Sequence, residues 1–121
     1  MGLESSGEMR IQSAFSDVSF ESGGECYFSL SSADEIIDMC SDEELAIIGI
    51  EVFAKSNGNL RPELELIADF SSTINHSFSW DEVVTQTTAS ARIFVRRIVT
   101  SPKRWLNLTL MSEGEFRRLQ P

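Results

Sequence analysis

Ile48-Gly49-Ile50-Glu51-Val52-Phe53-Ala54, Ser56-Asn57-Gly58-Asn59 and Glu63-Leu64-Glu65-Leu66-Ile67-Ala68-Asp69-Phe70 follow one another in the middle of this chain. The stretch from Leu45 to Ala54 is rich in β-branched residues. Within it Ile48, Ile50 and Val52 alternate with Gly49, Glu51 and Phe53, the two-residue period of a strand. Asn57-Gly58 accepts positive φ at little cost and marks a tight turn. Pro62 has no N–H to donate, so the returning strand begins beyond it or lies at a sheet edge. Leu64, Leu66, Ala68 and Phe70 then share one face, and Glu63, Glu65, Ile67 and Asp69 the other. The spacing predicts a β-hairpin with an acidic outward side.

Downstream, Ser79-Trp80-Asp81-Glu82 has the form of a capping box, in which a hydroxyl and a carboxylate each satisfy an orphan N–H at a helix start. Trp80, Val83, Val84, Thr87, Ala91, Phe94, Val95 and Ile98 recur at three and four residues, one stripe of an amphipathic helix. Asp81 and Glu82 begin it, and Arg96 and Arg97 end it, which suits the helix dipole at both ends. Ser101-Pro102 stops it. Trp105, Asn107, Thr109 and Met111 alternate with Leu106, Leu108 and Leu110, a strand with one buried face. Ser112-Glu113-Gly114-Glu115 is another capping box and opens a short terminal helix with Phe116 and Leu119. Upstream, Cys26 to Leu30 suits a strand, and Ser32-Ala33-Asp34-Glu35 predicts a capped helix with Ile36, Ile37, Met39 and Cys40 inward. Ser41-Asp42-Glu43-Glu44 repeats that form, so this helix ends or restarts there.

The fold class is therefore α+β: a mostly antiparallel sheet of three to five strands, one long helix at about 80–100 on a face, and short flanking helices. Residues 1–8 are small, polar and acidic and read as a disordered tail or a cloning remnant. Residues 9–121 read as a single domain, long enough to bury a core.

Charge divides along the chain. Residues 1–91 hold 17 Asp and Glu against Arg10, Lys55 and Arg61, and residues 92–121 hold seven basic residues against Glu113 and Glu115. The total is −9. Such an imbalance costs self-repulsion and raises encounter rates with a basic partner. Asp34, Glu35, Asp38, Asp42, Glu43, Glu44 and Glu51 lie within 18 residues with no basic residue among them. They are the candidate partner-binding residues. The alternative is a solvated helix face that serves solubility.

Chemistry-bearing motifs are weak. His76 sits in a polar loop, and no nucleophile elbow accompanies the serines. Cys26, Cys40 and His76 match no zinc spacing, and Asp42-Glu43-Glu44 lacks the spacing of a calcium loop. There is no glycine-rich phosphate cradle. Neither catalytic residues nor a cofactor nor a metal is expected, and the chain is read as non-enzymatic. Two isolated cysteines are expected as buried free thiols. Arg92, Arg96, Arg97, Lys103 and Arg104 would form a nucleic-acid patch, but the net charge opposes one. Internal pairing with the acidic hairpin face, or complementing the helix C-terminus, is the simpler expectation. No run approaches a membrane span, and the N-terminus has no signal-peptide pattern, so the expected location is cytoplasmic. Met1-Gly2 with Ser6 fits the loose myristoylation pattern, and equally a polar tail.

Ile48-Gly49-Ile50-Glu51-Val52-Phe53, Ile67-Ala68-Asp69-Phe70-Ser71, Trp80 opening a long helix with Ala91 and Phe94, and Trp105-Leu106-Asn107-Leu108-Thr109-Leu110-Met111-Ser112 running into Glu113 and Phe116 resemble the small immunity proteins of bacterial polymorphic-toxin and contact-dependent growth inhibition systems. The resemblance covers about residues 45–116. It implies a cytoplasmic, non-enzymatic protein that binds a cognate toxin domain, often a basic nuclease, and blocks its active site or substrate approach; a monomer or weak dimer is expected. It transfers no binding residue. Two other classes compete with it. One is an acidic homodimeric secretion chaperone for an effector client, and the other is a regulatory module with a deep apolar pocket between the long helix and the sheet.

Overall fold

The computed structural model describes residues 4–75 and 77–119 of the 121. His76 lies outside the described residues. Among the described residues nine α-helices and strands follow in chain order: α1 Glu4–Ala14, β1 Ser19–Ser22, β2 Glu25–Ser29, α2 Ala33–Asp42, β3 Ala46–Ser56, β4 Asn59–Asp69, α3 Trp80–Arg96, β5 Arg104–Met111 and α4 Glu113–Arg118. The strands form one antiparallel sheet in the order β1-β2-β5-β3-β4. The fold is α+β, with the long helix on a face of the sheet.

The predicted hairpin is β3–β4. Ser56 pairs with Asn59 across Asn57 and Gly58, whose φ angles of 52° and 79° make a two-residue turn. Pro62 is accommodated because β4 is an edge strand. A second tight hairpin, β1–β2, turns at Gly23 and Gly24, with φ of 60° and 81°.

Ile50 and Val52 of β3, Leu106 of β5 and Phe28 of β2 point to the helices and are almost fully buried. They meet Ile36, Ile37 and Cys40 of α2, Ile11 of α1, and Ala91 and Val95 of α3 in the main core. Burying each such aliphatic side chain contributes about 1.5–3 kcal/mol. A bulge between Ile47 and Gly49 reverses the alternation there. Ile48 thereby packs on a second cluster at the end of the sheet, with Ala46, Met111, Trp80, Val83, Val84 and Phe116. Trp80 Nε1 donates to the Glu44 carbonyl at 3.0 Å, which ties the start of α3 to the turn after α2.

Both capping boxes predicted at Ser79/Glu82 and Ser112/Glu115 are formed. Four expectations need correction. Residues 4–8, read as part of a tail, begin α1. A helix of this length is marginal alone. It is held by Ile11, by Gly7 packed close to Leu45, and by an Arg10–Glu43 ion pair. Ser32 does not cap α2: the chain enters through a 3₁₀ turn at Leu30–Ser32, and the Ser32 hydroxyl takes no cap bond. Leu64 is 77% exposed. Glu51 pairs with Ile67 and Phe53 with Pro62, so β4 bulges opposite Val52 and carries Leu64 away from the core. Leu119, expected within the terminal helix with Phe116, caps its C-terminal end instead and is 56% exposed.

Candidate functional site

The seven acidic residues singled out from the sequence do not form one surface. Asp34 and Asp38 stand one turn apart on α2, on the side away from Ile36, Ile37 and Cys40. Arg92 of α3 reaches both. Its Nη1 lies 3.2 Å from Asp34 Oδ1 and its Nη2 2.7 Å from Asp38 Oδ1. Arg96 Nε adds a 3.5 Å approach to Asp34. These contacts, the hydrogen bond to Asp38 foremost, hold the Arg92 guanidinium above its ordinary pKa. Glu43 is taken by Arg10, whose hydrogen bond lowers the glutamate pKa. Glu35, Asp42 and Glu44 are exposed around α2, and among the described residues none forms an ion pair. Glu51 stands apart from all of them, on the sheet.

The C-terminal arginines are largely occupied. Arg104 holds Glu63 through Nε at 2.7 Å and Nη2 at 3.2 Å, and its Nη1 donates to the Val99 carbonyl. Arg117 pairs with Glu113 on α4. The expected pairing with the hairpin is thus met at Glu63, whereas Arg92 and Arg96 turn to α2. Both cysteines are free. Burial pushes the Cys40 thiol up to about 12, and a smaller desolvation raises Cys26. Among the described residues no group of three His, Cys, Asp or Glu could hold a metal ion, and no helix is long and apolar enough to cross a membrane.

The sheet face turned away from the helices is built differently. Because strand side chains alternate, the neighbours of the core residues Val52, Leu106 and Phe28 point outward. These neighbours are Phe53, Trp105 and Tyr27, and Phe20 of β1 joins them opposite Tyr27. The four rings form a belt. Phe20 stacks on Tyr27 at 5.3 Å between centroids, meets Trp105 edge-on at 4.7 Å, and Tyr27 meets Phe53 edge-on at 5.2 Å. Lys55 Nζ lies 4.1 Å from the Phe20 centroid and 5.7 Å from that of Trp105, a cation–π contact.

Beside the belt the same face sinks into a shallow trough of about 340 Å³. Gly49 has no side chain to fill it. Glu51, Ile67, Asp69 and Thr109 surround it, all four exposed, and the pairings Glu51–Ile67, Gly49–Asp69 and Gly49–Thr109 place them on one face. Asp69 accepts the Ser71 N–H at 2.9 Å, and hydrogen bonding to Ser71 keeps its carboxyl below its ordinary pKa. Neither Glu51 nor Asp69 forms an ion pair among the described residues.

The alternation in the sequence grouped Gly49, Glu51 and Phe53, and separately Trp105, Asn107 and Thr109. It contained no signal that β5 inserts beside β3, which is what joins the two groups. Comparison with family models, curated proteins and solved structures finds no match to this chain.

Proposed function

We propose that this chain is a non-enzymatic immunity protein that binds a basic toxin domain and neutralises it by occlusion and charge complementarity. One observation carries the reading. Arg92, Arg96, Arg104 and Arg117 are discharged against carboxylates of the chain itself, while the molecule keeps a net charge of −9 and leaves one sheet face uncovered by helices. The negative charge left after these pairings would steer and hold a positively charged partner. The sequence resemblance over residues 45–116 points to the same class.

The test is to sequence the genes flanking this one and, where a large secreted protein with a toxic C-terminal domain lies among them, to co-express that domain with this chain in a bacterium. Growth rescue, with a one-to-one complex on size-exclusion chromatography, is the expected result. Continued killing in the presence of folded, soluble chain overturns the proposal. A stable homodimer in light scattering, binding an unfolded effector segment instead, would move the chain to the chaperone class.

A further inference from the structure

We propose that the outer sheet face is where the partner docks, with a lysine or arginine side chain of that partner seated in the trough over Gly49 and adjoining residues resting on the aromatic belt. The inference deepens the proposed function, and rests on it for the partner's identity alone.

The trough has the parts that a long cationic side chain needs. Gly49 leaves the floor open, and a Cβ built there would meet only ordinary contacts at 3.5–3.6 Å. Glu51 and Asp69 supply two carboxylates without an ion pair among the described residues. Ile67, 46% exposed, offers an apolar wall for the aliphatic stem. The belt next to it consists of half-buried Phe20, Phe53 and Trp105 packed with Tyr27, which is itself buried, so the three half-buried rings present a fixed, partly accessible aromatic surface. Aromatic residues of this kind dominate interface energetics. Lys55 Nζ already occupies the space over Phe20, so the partner's cation is placed in the trough, where no base lies among the described residues, and not on the rings. The partner's chemistry follows from charge: among the described residues the trough is lined by two acids and no base. The α2 acids are poorer candidates, since a partner would have to compete with Arg92 for Asp34 and Asp38.

Two experiments separate the surface from the partner. First, ¹⁵N–¹H spectra of the wild-type chain are titrated with acetyl-tetra-arginine amide. Shifts concentrated at Gly49, Glu51, Asp69 and Thr109 are expected. Shifts confined to α2, spread evenly, or absent from the trough overturn the surface. Second, the toxin domain is titrated against Glu51→Lys, Thr109→Arg and, as a control, Glu35→Lys. The first two should weaken binding by about 10-fold or more and the control by less than about twofold. Equal binding by all three overturns the surface and leaves the immunity function standing. Failure of the wild type to bind the toxin, with the peptide still in the trough, overturns the function and leaves the surface standing. All three substituted positions are exposed, and unchanged melting curves confirm that each variant folds.

Discussion

Replacing Trp80 by Phe should lower stability by about 2–4 kcal/mol, a large share of the roughly 5–15 kcal/mol that holds a domain of this size together. Trp80 is 7% exposed and sits between α3, the turn after α2 and α4. Its indole N–H donates to the Glu44 carbonyl at 3.0 Å, and its ring lies 5.2 Å from that of Phe116. Phenylalanine keeps a ring against Phe116 but leaves that carbonyl without its partner, which costs about 1–3 kcal/mol. The missing atoms lose about another 1 kcal/mol of packing. Trp80→Ala should cost about 3–5 kcal/mol. Urea unfolding followed by far-ultraviolet circular dichroism reads the effect without relying on the replaced fluorophore. A midpoint lowered by about 1–2 M at unchanged slope is expected for Trp80→Phe. Glu44→Gly is the control. Glu44 adopts φ of 57°, a left-handed conformation costing about 1–2 kcal/mol for a residue with a Cβ. Glycine removes that strain at some entropic cost and retains the accepting carbonyl, so this variant should gain about 0.5–1 kcal/mol. A Trp80→Phe variant within about 0.5 kcal/mol of wild type would refute the idea that this bond fastens the start of α3 to the turn after α2.

Three further outcomes follow from buried or half-buried groups. The Glu8 carboxyl is held above its ordinary pKa by burial first, then by Glu115 and Glu25. A raised acid favours the folded state fully only below its unfolded pKa, and that contribution is lost as pH rises through the folded value. Glu8→Gln should therefore raise the melting temperature at pH 7 by about 1–3 °C and bring no gain near pH 4, measured by calorimetry across that range. Thr88 Oγ1 is buried without a hydrogen-bond partner among the described residues. Thr88→Val should stabilise by about 1 kcal/mol in denaturant melts, and a loss of that size would mean that the hydroxyl has a partner in solution. Cys40 is fully buried with its thiol pushed up to about 12, so iodoacetamide at pH 8 should label Cys26 first and leave Cys40 unmodified until the chain unfolds, as read by mass spectrometry.

Local signals carried most of the element list. β3 and its turn at Asn57-Gly58 announced themselves through alternation and positive-φ residues, and α3 through its apolar stripe and the Ser79/Glu82 box. Those features depend on neighbours one to four residues away, which is the range that sequence periodicity reports. α1 escaped detection for the opposite reason: Ile11 is its one almost fully buried large apolar residue, and its other anchors are Leu45 and Glu43, more than thirty residues downstream. The Ser32 box failed because a 3₁₀ turn occupies the position where an extended cap residue was required. At the candidate site, the sequence set the net charge of −9 and placed Gly49, Glu51 and Phe53 on one side of a strand. The tertiary structure alone decided which charges are paired within the chain. It folded α3 against α2 so that Arg92 takes Asp34 and Asp38, and it inserted β5 between β2 and β3 so that Trp105 and Thr109 meet Phe53 and Gly49. Coulombic pairing and ring stacking act over a few ångströms of space, and no sequence spacing fixes which residues come within that distance.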